Sequence, residues 1–227
     1  MIKAVIFDMD GVIIDSEPLH YKVFMDYTKG KFDLTISDKE YSQFIGTTNH
    51  YMYSILKEKY HIAGDLSALI AEYEDKCLQY LQSSSTEKPI HGVDMLVKNL
   101  HQNKIKLALA SSSPKKSINM VLEMFDMNKY FDVLVSGQEV ANSKPAPDIF
   151  LRAAELLNIH PEECLVFEDS QNGVAAAKAA GMQCIAYYNP NSGNQDLSRA
   201  DKIIESFTEV DSAIALKKSY RDIKAEI

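Results

Sequence analysis

The apolar run Ala4-Val5-Ile6-Phe7, followed directly by Asp8-Met9-Asp10-Gly11-Val12, constrains the fold more than any other stretch of this 227-residue chain. A short run that is apolar at every position is a strand buried on both faces, as in parallel sheets. Its end delivers two carboxylates to the strand tip. Residues two apart in an extended chain share a face, so Asp8 and Asp10 are expected to point at one spot. Gly11 lets the backbone turn away or approach a ligand closely. Adjacent carboxylates resist ionising together. A hard divalent cation such as Mg²⁺ would relieve that repulsion, since it takes one or two carboxylates plus water and substrate phosphate. A turn carrying two solvated acids is the alternative, and the pair alone leaves both open.

After Asp10, the run Val12-Ile13-Ile14 ends at Asp15-Ser16-Glu17-Pro18. Asp15 or Ser16 can cap a helix there, with Pro18 in its first turn. From His20 to about Ser84 the pattern is helical, as over Tyr51 to Tyr60 and Leu66 to Leu81, and no strand is expected. Gly30 and Gly64 read as breaks between helices. Tyr51, Tyr53, Tyr60, Tyr73 and Tyr80 fall in this stretch and read as packing residues first, a sugar-stacking surface second. Ser83-Ser84-Ser85-Thr86-Glu87-Lys88-Pro89 reads as a linker.

Beyond it the pattern changes. Strands are expected at Lys106 to Ala110, Val133 to Val135, Cys164 to Phe167, Gln183 to Tyr187 and Ile203-Ile204. Helices are expected at Val93 to Leu100, Ile118 to Phe125, Pro147 to Leu157, Val174 to Ala180 and Val210 to Leu216. Alternation of this kind is the mark of an α/β protein with a mostly parallel sheet covered on both faces. The helical stretch is then an insert behind the first strand.

A net charge of −8 argues against non-specific nucleic-acid binding and against an anionic membrane surface. An anionic substrate would have to be attracted locally. Cys77, Cys164 and Cys184 lie far apart without metal-ligand spacing, and are expected reduced and buried, which suits a cytoplasm. No apolar run approaches the ~18 residues of a membrane span. The apolar stretch before Asp8 is too short for a signal-peptide core.

In open α/β sheets ligands sit outside the carboxyl ends of the strands. The second core strand is followed by Ser111-Ser112-Ser113-Pro114-Lys115, either a serine helix cap or an anion site. Ser143-Lys144-Pro145-Ala146-Pro147 holds Lys144 on a stiffened loop, where it can meet a phosphate or the acids. Cys164 to Phe167 runs into Glu168-Asp169-Ser170, two more acids at a tip. Helix capping explains each acid singly, but not their recurrence at successive tips. The set suits phosphoryl transfer, in which positioning and charge neutralisation dominate. Asp8 can attack phosphorus. Asp10 can protonate the leaving oxygen and then deprotonate the incoming water or hydroxyl.

Asp8-Met9-Asp10-Gly11-Val12, the strand ending in Ser111, Ser143-Lys144-Pro145 and Glu168-Asp169-Ser170 together resemble, in order and spacing, the four motifs of the haloacid dehalogenase superfamily. Asp15-Ser16-Glu17-Pro18-Leu19-His20 and the helical insert resemble its subgroup with a small helical cap, which holds β-phosphoglucomutase and the hexose- and polyol-phosphate phosphatases. The resemblance implies a Rossmann-like core at residues 1–15 and 86–227, a mobile cap at 16–85, Mg²⁺, and a phosphorylated small molecule as substrate. It implies Asp8 as nucleophile and Asp10 as general acid/base. Ser111, Ser112 and Lys144 would be phosphate ligands. The metal would be held by Asp8, Glu168, Asp169 and the Asp10 backbone carbonyl. His20, Gly46, Asn49 and Lys76 would be cap-side substrate residues, and the protein a cytoplasmic monomer.

Within that subgroup, β-phosphoglucomutases use a cap arginine and a core lysine for the non-reacting phosphate of a bisphosphate. Here Asn49 and Pro114 stand at those places, and neither replaces a cation. The Ser112-Ser113-Pro114 form resembles the sugar-phosphate phosphatases, while Lys115 or Lys116 keeps a mutase open as the alternative. A catalytically silent phosphate-binding module is a third reading. A dehalogenase is disfavoured, because relatives with that chemistry lack the second acid that Asp10 supplies here.

Overall fold

The computed structural model describes residues 1–83 and 87–210. Strand β1 (Ala4–Phe7) is followed by four helices, α1 (Glu17–Phe32), α2 (Asp38–Tyr41), α3 (Asn49–Lys59) and α4 (Leu66–Ser83). The chain then alternates through α5 (Val93–Gln102), β2 (Lys106–Ser111), α6 (Lys115–Met124), β3 (Val133–Ser136), α7 (Asp148–Leu157), β4 (Cys164–Glu168), α8 (Gln171–Ala179), β5 (Gln183–Tyr187) and β6 (Lys202–Ile204). Positions 211–216 of the helix expected from Val210 to Leu216 and positions 84–86 of the expected linker lie outside the described residues.

The six strands form one sheet in the order β3-β2-β1-β4-β5-β6, and every pairing is parallel, which sharpens the expectation of a mostly parallel sheet. Side-chain alternation explains how both faces are covered. Val5, Phe7, Leu107, Leu109, Leu165 and Phe167 send large groups to one face, under α5 and α6. Ala4, Ile6, Ala108, Ala110 and Cys184 put mostly small groups on the other. There Ala153, Ala154, Ala176 and Ala177 let α7 and α8 pack closely.

The four inserted helices hold together through aromatic side chains. Phe24, Tyr53 and Tyr73 are almost wholly buried, with Tyr53 and Tyr73 ring centroids 5.3 Å apart and Phe24 edge-on to Tyr73 at 6.4 Å. Burial of an apolar ring such as Phe24 stabilises by roughly 1.5–3 kcal/mol, and Tyr53 gains less because its buried hydroxyl has no hydrogen-bond partner among the described residues. Tyr51 and Tyr80, by contrast, are exposed.

Two helix-boundary expectations are corrected. Gly30 does not break α1, which continues to Phe32 and ends where Asp33 takes a left-handed conformation (φ 53°). Ser16 occupies the N-cap position of α1 but makes no side-chain cap, because its hydroxyl donates to Asp10 instead. Gly64, with φ 102°, does separate α3 from α4.

The two chain crossings into and out of the insert lie side by side, and Ile90 N–H donates to the Ile13 carbonyl at 2.9 Å. Among the described residues, no helix is long and apolar enough to cross a membrane. All three cysteines are free and buried.

Candidate active site

Strand order reverses between β1 and β4, and the register brings their tips together: Phe7 is level with Leu109 on β2 and with Phe167 on β4. Asp8, Ser111, Glu168 and Asp169 therefore converge at one edge of the sheet, where such crevices take ligands.

Lys144 reaches them from the loop beyond β3. Its Nζ lies 2.8 Å from Asp8 Oδ1 and 2.6 Å from Glu168 Oε1, and all three side chains are buried. Glu168 is held further by Asp169 N–H (2.8 Å), Ser170 N–H (2.9 Å) and Ser170 Oγ (3.0 Å), all donating to Oε2. Space for that carboxylate depends on Gly173, since a Cβ there would lie 1.7 Å from Glu168 Oε1. Gly11 is constrained twice over. It has φ 76°, and a Cβ would lie 1.9 Å from Asp169 Oδ2. Ser192, past β5, donates its hydroxyl to that same Asp169 oxygen.

Carboxylate oxygens of Asp8, Glu168 and Asp169 all lie within 4.8 Å of one another. Three buried carboxylates face one ammonium, an excess of negative charge. Burial pushes Asp8 up to about 8 against the pull of Lys144, with Glu168 and Asp10 adding to the rise. Burial and the neighbouring Glu168 and Asp8 raise Asp169 well above the carboxylate range. Lys144 is itself raised, since Asp8 and Glu168 outweigh the burial that opposes its charge. A hard divalent cation with oxygen preference fits this donor set in charge and ligand type.

Asp10 does not share its neighbour's surroundings. The strand ends at Phe7, and the N–H groups of Val12, Ile13 and Ile14 all turn back onto the Met9 carbonyl. The two-residue periodicity stops there, and the Asp10 carboxylate takes partners of its own while lining the same cavity as Asp8. The Asp10 carboxylate accepts from Ser16, from Ser113 Oγ at 2.7 Å and from Ser111 Oγ at 3.2 Å, with His20 Nε2 at 3.4 Å. Burial opposes its ionisation, but His20, Ser16 and Ser113 overcome that and hold Asp10 well below the usual range. His20 is correspondingly raised by Asp10 despite burial.

Both acids line one cavity beneath the inserted helices, with about 80 Å³ free. Gly46 (φ 76°) brings the loop before α3 against the core: a Cβ there would lie 2.3 Å from Ser170 Oγ. Ser112 Oγ donates to the Gly46 carbonyl at 3.1 Å, and Asn172 Nδ2 to the Ile45 carbonyl at 3.2 Å. Asn49 lies in the cavity wall and donates to Glu74 Oε1 at 3.1 Å.

Lys76 is not brought to the cavity. Its Nζ sits 5.9 Å from the Tyr27 ring, in a separate outward hollow shared with Lys31 and Glu72. The helical repeat places Tyr73, Glu74 and Cys77 on the inner side of α4 instead. Lys115 turns away to the Leu134 carbonyl and Glu139, and Lys116 pairs with Asp75 at 3.1 Å on the exterior.

A family model described as haloacid dehalogenase-like hydrolase matches residues 5–187. The chain belongs to the haloacid dehalogenase-like hydrolases. It is similar to "Phosphorylated carbohydrates phosphatase" of Thermotoga maritima, 36% identical over 183 residues that cover 81% of this chain and 83% of that one. It is also similar to "Fructose-1-phosphate phosphatase YqaB" of Escherichia coli, 32% identical over 80% of this chain and 94% of that one. In fold it resembles the crystal structure of β-phosphoglucomutase from Clostridium difficile, with TM-score 0.85, 26% identity, and coverage of 99% of this chain and 100% of that one. This member of the family is a phosphoryl-transfer enzyme.

Several residues of this hydrolase's site carry no sequence signal of their own. Ser113 is visible only as the third serine of a run. Glu17, buried in the cavity wall with its carboxyl raised by burial to about 7, sits in the helix-start motif Asp15-Ser16-Glu17-Pro18. Glu74, Ser192 and Asn172 lie far along the chain from the residues they meet, and only folding joins them.

Proposed function

We propose that this hydrolase is a Mg²⁺-dependent phosphatase acting on the monophosphate ester of a sugar or polyol through an aspartyl-phosphate. One observation carries the choice over a mutase: among the described residues lining the cavity there is no lysine or arginine, and its histidine, His20, is paired with Asp10. A bisphosphate intermediate needs a cation for its second phosphate. Asn49 and Pro114 stand where cations would be needed, and Lys115 and Lys116 are engaged elsewhere. The resemblance to named carbohydrate-phosphate phosphatases supports the same reading. The fold does not separate the two, since a mutase shares it.

In this reading Asp8 attacks phosphorus, the ester P–O bond breaks, and Asp10 gives a proton to the departing alkoxide. Water then attacks the aspartyl-phosphate, and Asp10 takes its proton. The hydrogen bonds from Ser16, Ser113 and Ser111 favour the carboxylate form of Asp10, which suits it to the second step. His20, 3.4 Å away and favoured protonated, is the neighbour from which it can draw the proton of the first. Ser111, Ser112 and Lys144 surround the phosphoryl oxygens. Asp8, Glu168, Asp169 and the Asp10 carbonyl would hold Mg²⁺, which when bound supplies charge neutralisation. Residues 16–85 act as a mobile cap over a core of 1–15 and 86–227, and the paired crossings at Ile13 and Ile90 serve as the hinge.

A panel of sugar and polyol phosphates, assayed for phosphate release with and without Mg²⁺, tests this. Mg²⁺-dependent release from one or more monoesters is expected. Conversion of β-glucose 1-phosphate to glucose 6-phosphate primed by a bisphosphate, with negligible release, would establish the mutase instead.

A further inference from the structure

The cavity at Asp8 and Asp10, at about 80 Å³, is well below the roughly 300 Å³ at which small-molecule pockets begin. Next to it is a hollow of about 930 Å³, lying between α3, α4 and the segment after β3. The two spaces share Thr48, Asn49, Glu74 and Ser112 as wall. The Asn49–Glu74 hydrogen bond, 3.1 Å long, lies in that shared wall and joins α3 to α4.

The lining of the hollow mixes hydrogen-bonding side chains with the apolar Ile70, Ala71, Val140 and Ala141. Ser54, Ser67, Gln138 and Asn142 contribute hydroxyls and amides, and Tyr51 presents a ring that is 46% exposed. Among the described lining residues there is again no lysine or arginine, and Glu74 is the sole carboxylate. Such a surface suits a hydroxyl-rich, uncharged group, for which Tyr51 offers a stacking face and the amides and hydroxyls offer partners. It offers a second phosphate no lysine or arginine, and His50 is the one basic side chain among the described lining residues.

We propose that the Asn49–Glu74 pair is a gate between these spaces and the element that selects the leaving group. The phosphoester enters through the hollow. Asn49 and Glu74 exchange their mutual hydrogen bond for the substrate's hydroxyls, and the sugar or polyol portion, hexose-sized or larger, occupies the hollow while its phosphate reaches Asp8. The Glu74 carboxylate turns away leaving groups that carry a second phosphate or a carboxylate, a specificity achieved by repulsion as much as by attraction. This rests on the phosphatase reading for its chemistry, though not for its binding geometry. A plain brace between two helices is the competing role.

The test has a turnover arm and a binding arm. In the first, kcat/KM of wild type, Glu74→Gln and Glu74→Ala is measured with Mg²⁺ on acetyl phosphate, glucose 6-phosphate, fructose 1-phosphate, glucitol 6-phosphate and fructose 1,6-bisphosphate. Glu74→Ala is expected to lower the ratio of the best hexose or hexitol monophosphate to acetyl phosphate about tenfold, the scale of a lost polar contact to substrate. Glu74→Gln, which keeps the shape and removes the charge, is expected to raise the bisphosphate-to-monophosphate ratio by about the same factor. In the second arm, calorimetry compares binding of those monophosphates and of inorganic phosphate to Asp8→Asn enzyme, with and without Glu74→Ala. Glu74→Ala is expected to weaken the sugar phosphates about tenfold relative to inorganic phosphate. Ratios unmoved in both arms, with only the melting temperature lowered, would make the pair a brace and overturn the gate. A shifted binding ratio in an enzyme that releases no phosphate from any ester would sustain the gate and overturn the phosphatase reading.

Discussion

Asp8, Glu168 and Asp169 crowd three carboxylates around the single ammonium of Lys144. Under the proposed mechanism, replacing Asp8 by Asn removes the nucleophile and one carboxyl of the crowded cluster. Activity should fall by at least about 10⁴-fold, the scale seen when a nucleophile is lost, with the melting temperature unchanged or raised. Lys144→Ala should be harmful to stability as well. It strands two buried carboxylates, and urea titration should show a loss of about 3–5 kcal/mol. Glu17 supplies one pH dependence of stability. Its carboxyl is raised by burial from 4.5 to about 7, so between those values the native state keeps a proton the unfolded chain has lost. The stabilising difference is fully present below 4.5 and is lost as pH rises through about 7. The loss totals about 3 kcal/mol. Glu17→Gln should flatten that fall in stability between pH 4.5 and 7, as read by urea midpoints across the range.

At the scale of elements, the loop before α3 is the contact on which cleft geometry turns. Gly46 touches Ser170 at the tip of β4 while Ser112 and Asn172 bind the carbonyls beside it. An alanine at position 46 would have to adopt φ 76° and place Cβ 2.3 Å from Ser170 Oγ. Gly46→Ala should hold the insert off the core and lower kcat/KM about 10²-fold, the cost of an ångström-scale displacement, while the far-UV circular dichroism stays native. Gly173 and Gly11 play the matching part on the core side, giving Glu168 and Asp169 room at the tips. Gly11 was visible in the sequence as a turn glycine beside an acid, whereas Gly173 lies inside α8. That an acid fills the space of each absent Cβ is a fact of packing.

Across the whole molecule, a space of about 80 Å³ at Asp8 and Asp10 is too small for a hexose phosphate unless the wall formed by Asn49 and Glu74 gives way. The exterior Lys116–Asp75 pair between insert and core contributes little, since exposed ion pairs are worth about 0–1 kcal/mol. The burial of the catalytic edge is also why metal should matter to the entire fold. Mg²⁺ at 100 times its dissociation constant should stabilise by about 2.7 kcal/mol, seen as a rise in melting temperature that EDTA reverses. An absent shift at saturating Mg²⁺ would remove the metal from the acidic cluster.

Local chemistry settled much of this protein before any coordinates. The doubly buried run at Ala4–Phe7, the strand–helix alternation after residue 86 and the acids at successive tips required a parallel sheet with its site at one edge. Those signals are short-range, and strand period and helix period are written into neighbouring residues. Only the tertiary structure decided the rest. It ended β1 at Phe7, so that Asp10 leaves its neighbour for Ser16, Ser113 and His20. It turned Lys76 outward and Glu74 inward on the same helix. It brought Ser192 to Asp169 across 23 residues and Asn49 to Glu74 across 25. Periodicity shows that a helix has a buried face. Which residues of that face border a cavity, and which pack on a neighbour, depends on the rotation at which the helix docks, and that is fixed by side chains far away in sequence.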